Sequence, residues 1–156
     1  LRNDLIPYID ENFATYADYE PGYDMTLARK HRGMVGFSMG GMQTTNIGLC
    51  ECLDIISNFG AFSSAPTTYN ANTINSTINS QFPSYEIDLF YNVCGSSDSI
   101  ALSSHTAAMN GLVEGSGGRF VDGENYLWHQ VPGGHVMGVW QLGMYNFCRL
   151  AFQTGK

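Results

Sequence analysis

Gly33-Met34-Val35-Gly36-Phe37-Ser38-Met39-Gly40-Gly41 is the stretch that decides how the rest of the chain is read. Residues 33–37 are a short apolar run bounded by glycine, the pattern of a buried strand. From residue 39 to about 53 the pattern is helical. Ser38 stands at the junction, with Gly36 and Gly40 two positions to either side. A strand that must turn sharply into a helix at Gly-x-Ser-x-Gly leaves the serine proud of the sheet, with a helix N-terminus beneath it. The glycines give room for that turn, and Gly41 adds a further small residue. The strand before and the helix after separate this arrangement from a glycine-rich turn with an incidental serine. The stretch therefore reads as the nucleophile elbow of a hydrolase.

Working outward, Leu5, Ile6, Tyr8, Ile9 and Phe13 recur at helical spacing, and residues 19–24 (YEPGYD) break that helix. Residues 55–62 read as a second buried strand, 87–93 (IDLFYNV) as a third and 126–131 (YLWHQV) as a fourth. Helical patterns follow at 100–113 and 136–152. The intervening Asn/Thr/Ser-rich stretch 67–80 reads as an exposed loop. Strands alternating with helices imply βα units and a mostly parallel sheet covered on both faces.

A serine nucleophile needs a base, and the base needs an orienting acid. In this class the order along the chain is Ser, then Asp or Glu, then His. His31 precedes the serine, His105 lies within a predicted helix with a surface role, and His129 lies within a strand. His135 follows the last strand in the turn Pro132-Gly133-Gly134, where an imidazole can swing over the sheet edge toward Ser38. Asp98 leaves the C-terminal end of the preceding strand. Asp88 and Asp122 fall at the wrong end of the sheet, and Glu114 at a helix end. Asp98 also stands where it could cap the next helix, so two roles compete for it. The backbone N–H of Met39 is the expected first donor of an oxyanion hole. The second usually comes from a loop after an earlier strand, and the residues ahead of Ser38 hold only one helix and one strand.

The 156 residues suffice for one compact domain, and 44% of them are hydrophobic. Only 13% are charged, against about a quarter in ordinary domains. That composition suits a secreted, loop-rich protein. A net charge of −7 with seven Lys and Arg in total lacks the footprint for nucleic acid, and it reads as plain solubility. No apolar run approaches the roughly 20 residues needed to span a bilayer. The opening LRNDLIPYIDENF has no apolar core of a signal peptide and no initiator Met, which reads as a processed or partial chain. Cys50-x-Cys52 is not a zinc spacing, and Cys94 and Cys148 supply no second pair, so no metal site is expected. Cys94 is expected too far from Cys50 or Cys52 to bridge either. Asn75-Ser76-Thr77 is the only glycosylation sequon.

Residues 32–41 (RGMVGFSMGG), together with Gly133-Gly134-His135 and Val139-Trp140, resemble carbohydrate esterase family one, which contains feruloyl esterases and acetylxylan esterases. The resemblance covers nearly the whole chain but only the C-terminal half or so of a full member. It implies a three-layer α/β-hydrolase sandwich, incomplete here, with residues 1–156 the C-terminal portion of one catalytic domain. Ser38, Asp98 and His135 fall where the family's triad would be. No metal or organic cofactor is implied. The expected substrate is a feruloyl ester on plant cell-wall polysaccharide, with Met39 and Trp140 as apolar walls for an aromatic acyl group; Trp140 shares the apolar pattern of Val139 and Met144, so core packing under the last helix is an equal reading of it. The missing front half, as a companion chain or segment, would supply the early strands, the second oxyanion donor and part of the acyl pocket. Any disulfide would then join a cysteine here to that part. Competing readings are an acetylxylan esterase, a thioesterase resembling S-formylglutathione hydrolase, and a silent binding protein of the same fold. The Asn-rich stretch and the Cys50-x-Cys52 pair depart from the family pattern.

Overall fold

The computed structural model describes residues 1–153. Its frame is a four-stranded sheet, all parallel, in the order β1 (Gly33–Phe37), β2 (Asn58–Phe62), β3 (Leu89–Gly95), β4 (Tyr126–Val131). Helix α1 (Leu5–Asn12) and a 3-10 segment (Met25–His31) precede β1. Helix α2 (Met39–Gln43) follows it and continues as a π-helical stretch (Thr44–Leu49). Helices α3 (Ala71–Gln81), α4 (Leu102–Met109), α5 (Leu112–Gly115) and α6 (Met137–Leu150) complete the chain.

Strand alternation divides the core in two. Phe59, Ala61 and Phe90 point to the face that also buries Leu49, Leu53, Ile74, Ile78 and Leu112. Phe62, Leu89, Tyr91 and Val93 point to the other, where Val139 and Phe147 of α6 cover them. The asymmetry follows from handedness. Right-handed crossovers between parallel strands laid down in one direction put every connecting helix on the same face. Only α6, after the last strand, is free to fold back across the opposite one. Helices thus lie on both sides of the sheet, as the three-layer expectation has it.

Buried polar bonds seat β1. Arg32 donates to Asp10 at 2.6 Å and to the carbonyls of Met25 and Ile55, while Tyr23 donates to Asp10 at 2.5 Å. Burial alone would raise the Asp10 carboxyl, but the bonds from Tyr23, Thr15 and Arg32 outweigh it and hold it below its ordinary value.

Several boundaries differ from those read in the sequence. The second strand begins at Asn58 rather than at residue 55, because residues 53–55 form a turn and 56–57 are irregular. The helix after Ser38 loses its α register at Thr44. The hydroxyls of Thr44 and Thr45 bond back to the carbonyls of Gly40 and Gly41, which loosens the ladder there. The helix expected over 100–113 is broken at Gly111, whose φ of 79° ends α4 and opens α5.

The largest correction concerns residues 67–80. They are not an exposed loop, since α3 runs through most of them. Ile74 and Ile78, one turn apart, are fully buried, and the Asn70 side chain accepts from Thr73 N–H to cap the first turn. Polar composition masked that i, i+4 pair. At the other end of α3, Arg119 donates to the carbonyls of Ile78 and Phe82. Asn75 is 5% exposed and donates its amide to Leu112 O at 3.0 Å. A glycan at that nitrogen is incompatible with this packing. Protein secreted from a eukaryotic host is expected to carry no glycan at Asn75 by peptide mass mapping; a glycan on folded, soluble protein would contradict the buried placement.

Among the described residues no disulfide forms: Cys50, Cys52 and Cys94 are buried thiols and Cys148 is exposed. Among the same residues, no group of three His, Cys, Asp or Glu side chains comes together to hold a metal ion, and no helix is long and apolar enough to cross a membrane.

Candidate active site

Ser38 sits where β1 becomes α2, at φ 53° and ψ −117°, a backbone region that non-glycine residues seldom adopt. Its neighbours compel it to stay there. Its N–H donates to Phe62 O at 2.9 Å, and its carbonyl accepts from Ala65 N–H at 3.0 Å and from Met42 N–H at 3.2 Å. The end of β2 and the turn after it therefore grip the serine backbone from both sides.

The glycines around the elbow have unequal jobs. A methyl at Gly36 would collide with the Gly40 carbonyl group, and one at Gly41 would press on Ser64 Oγ, whereas a methyl at Gly40 would meet nothing. The motif needs Gly36 because the backbone of Gly40 crosses over it. Gly36→Ala is expected to cost about 3 kcal/mol or more, as an overpacked site with no flexible side chain to yield. A melting temperature within a few degrees of wild type would show that the elbow is looser than this.

His135 and Asp98 arrive from the neighbouring strand ends. Gly95 closes β3, and a methyl there would strike the Gly133 carbonyl. The two loops are stapled where they cross: Ser96 N–H donates to Val131 O at 2.7 Å and Ser97 N–H to Gly133 O at 2.8 Å. That staple brings His135 Nδ1 to 2.9 Å from Asp98 Oδ2, and His135 Nε2 to 3.0 Å from Ser38 Oγ. A carboxylate can only accept, so Nδ1 carries the proton and Nε2 is left to accept from the serine hydroxyl.

The two roles that competed for Asp98 are both filled, one by each oxygen. Oδ1 accepts from the N–H groups of Ile100 and Ala101, at 3.0 and 2.9 Å, and turns the chain toward α4. Oδ2 is left for the imidazole. The residue is 2% exposed. Burial would raise its carboxyl; the bonds from Ala101 N–H, the His135 ring, Ser63 and Ile100 N–H overcome that and bring it down to about 2. Ser63 contributes from outside good hydrogen-bond geometry, since its buried Oγ has no well-formed partner. The Cys94 thiol lies 3.6 Å from Oδ2, and burial above all pushes it up to about 11, so it stays a neutral donor.

Trp140 stacks on Phe37 with centroids 4.3 Å apart and meets the His135 ring edge to face at 5.0 Å. It is half-buried beside the imidazole. Met39, Val136 and Met137 are exposed around the same spot. Met39 opens α2, so its N–H has no acceptor within the helix.

No family model matches the chain. A solved ferulic acid esterase (FAE) superposes with a TM-score of 0.74 at 25% identity, covering 99% of this chain and 58% of that one. The carbohydrate esterase family one ferulic acid esterase of the anaerobic fungus Anaeromyces mucronatus matches at 0.65 and 21% identity, covering 94% of this chain and 50% of its own. The same fungal enzyme in complex with ferulic acid matches at 0.66. The chain has an α/β-hydrolase fold like that of these ferulic acid esterases. Among curated proteins, endo-1,4-beta-xylanase Y of Acetivibrio thermocellus is 36% identical over 59 residues, 38% of this chain and 5% of that protein. The chain thus spans little more than half the length of these solved esterases and a small part of the xylanase.

In this fold the remaining sequence candidates fall elsewhere. His31 stacks on Tyr16, and His129 is exposed on β4. Asp88 accepts from Ser57 Oγ, and Asp122 forms an isolated backbone β-bridge with Tyr126 ahead of β4. His105 is not a surface residue: it is fully buried, with both ring nitrogens engaged. Sequence reading missed it because a histidine inside a polar helical pattern carries no sign of burial. It also missed the turn of Ser63 and Ser64, which no motif marks. Gly95 was visible only as a strand end.

Among the described residues no strand pairs with the outer side of β1, so the sheet has a free edge there. A groove of about 610 Å³ runs along it, lined by Leu5, Ile9, Tyr16, Met34, Val35 and Ile56 among others.

Proposed function

We propose that the complete protein is a serine esterase that releases feruloyl (hydroxycinnamoyl) groups from plant cell-wall polysaccharide through an acyl-enzyme. The observation that carries this reading is the hydrogen-bonded chain Asp98–His135–Ser38 at a strained elbow, within a fold shared with solved ferulic acid esterases. Ser38 Oγ attacks the ester carbonyl while His135 Nε2 takes its proton. Asp98 holds the proton on Nδ1 and stabilises the imidazolium. His135 then protonates the departing sugar alcohol. Water, activated by the same nitrogen, attacks the acyl-serine and frees the acid and Ser38. The N–H of Met39 faces the developing oxyanion from the start of α2.

The aromatic acyl group is supported by the apolar rim of Met39, Val136, Met137 and Trp140. The match to part of a xylanase supports xylan as the polymer. Such a substrate places the enzyme's work outside the cell. The second oxyanion donor and the early strands are proposed to come from a segment outside these 156 residues. The free edge of β1, its apolar groove and the share of the solved esterases' length that the chain spans all support this.

The test compares kcat/KM for methyl ferulate, methyl p-coumarate, 4-nitrophenyl acetate and a long-chain 4-nitrophenyl ester on the complete protein. Methyl ferulate and methyl p-coumarate are expected to lead. Activity on acetate alone would keep the mechanism and move the substrate to acetylated xylan. Preference for the long-chain ester would sink the assignment.

A further inference from the structure

We infer that His105 is a positioning residue for the nucleophile: a neutral imidazole of one fixed tautomer that holds the turn from which the Ser38 backbone hangs. The inference rests on the esterase reading of the site.

His105 lies on α4, the helix that follows the Asp98 turn, and is 0% exposed. The backbone N–H of Ser64 donates to its Nδ1 at 3.1 Å. That nitrogen must therefore be unprotonated, and the proton sits on Nε2, which is 3.2 Å from Asn92 Oδ1. The Asn92 amide group leans toward Phe90 O, which leaves its oxygen for the imidazole. Trp128 packs on the ring with centroids 4.6 Å apart. A second proton would set an N–H against the Ser64 N–H at a fully buried ring. Burial accordingly holds the imidazole down at about 3, and the nearby Asp98 charge does not offset it.

What this imidazole steadies is the turn after β2. Ser63 adopts φ 44° there, with its N–H bonded to Val93 O at 2.8 Å. Phe62 O and Ala65 N–H, on either side of the serine pair, are the two groups that grip Ser38. Ser64 lies between them, and His105 is what its N–H bonds to. The same helix begins at the turn that Asp98 Oδ1 caps. His105 thus ties the acid's helix to the nucleophile's cradle without touching the reacting atoms. Shifts of about 1 Å in such a cradle cost about 10²-fold in rate.

The experiment uses the complete protein with two variants, His105→Met and His105→Gln. Methionine is apolar and of similar size, whereas glutamine restores one acceptor and one donor. With methyl ferulate, His105→Met is expected to lose about 10- to 100-fold in kcat with KM within about twofold, and to slow fluorophosphonate labelling of Ser38 in parallel. His105→Gln is expected to recover most of both. Nitrogen-15 NMR of the wild type is expected to show His105 as the Nε2–H tautomer, with no titration from about pH 5 to 8. That measurement needs no variant to fold. A folded His105→Met protein with wild-type kcat and labelling rate would overturn the inference, and so would a titrating His105 or the opposite tautomer. A wild-type protein that neither labels nor turns over ester would instead remove the esterase reading, and this inference with it.

Discussion

Ser38→Ala is expected to lower kcat on methyl ferulate by about 10⁴-fold or more while the protein stays folded, because a nucleophile, base and acid act as one unit. The residual rate would come from binding and oxyanion stabilisation alone. The fold should survive because the bonds that hold the elbow are made by the Ser38 N–H and carbonyl, not by its hydroxyl. Alanine meets the same backbone strain at φ 53° that serine does. The measurement pairs single-turnover kinetics with a thermal melt. A variant with near wild-type turnover would end the proposal that Ser38 is the nucleophile.

Asp98→Asn is expected to cost about 10⁴-fold in kcat, through the tautomer rather than through misfolding. The asparagine oxygen can keep the bonds from Ile100 and Ala101 N–H that Oδ1 now accepts. Its NH₂ group then faces His135 Nδ1, which must accept. The ring proton moves to Nε2, and that nitrogen can no longer take the proton of Ser38. The same variant has a signature in stability. The folded carboxyl is depressed to about 2 from an ordinary 3.8. Its contribution is therefore complete above the unfolded value and lost as pH falls through about 2. Melting temperatures of wild type and variant should converge on acidification across that window and stay separated above it. Equal melting temperatures at neutral pH, or turnover within tenfold of wild type, would show that Asp98 is not the orienting acid.

The elbow, the four strands and the order of Ser38, Asp98 and His135 were legible because each rests on local signals: an apolar run, a glycine spacing, a strand end. What the sequence concealed depends on packing between distant segments. Asn75 reads as a surface sequon until Leu112 is folded against it. His105 reads as a surface helix residue until Ser64 and Asn92, 41 and 13 positions away, close around it. The requirement for Gly95 appears only when the loop of Gly133 crosses above it. The helix over 67–80 was hidden for another reason, since asparagine and threonine weaken helix propensity while two isoleucines carry the burial.

The uncovered side of β1 also bears on solubility. Natural sheets guard such margins with lysine, proline or a bulge. The run Gly33-Met34-Val35-Gly36-Phe37 has no charge and no proline, and it forms a regular five-residue ladder with β2 on its other side. Taken alone at high concentration, the 156-residue chain presents a ready template for strand addition by a second copy. Its tendency to aggregate would fall when whatever strand belongs on that margin is supplied.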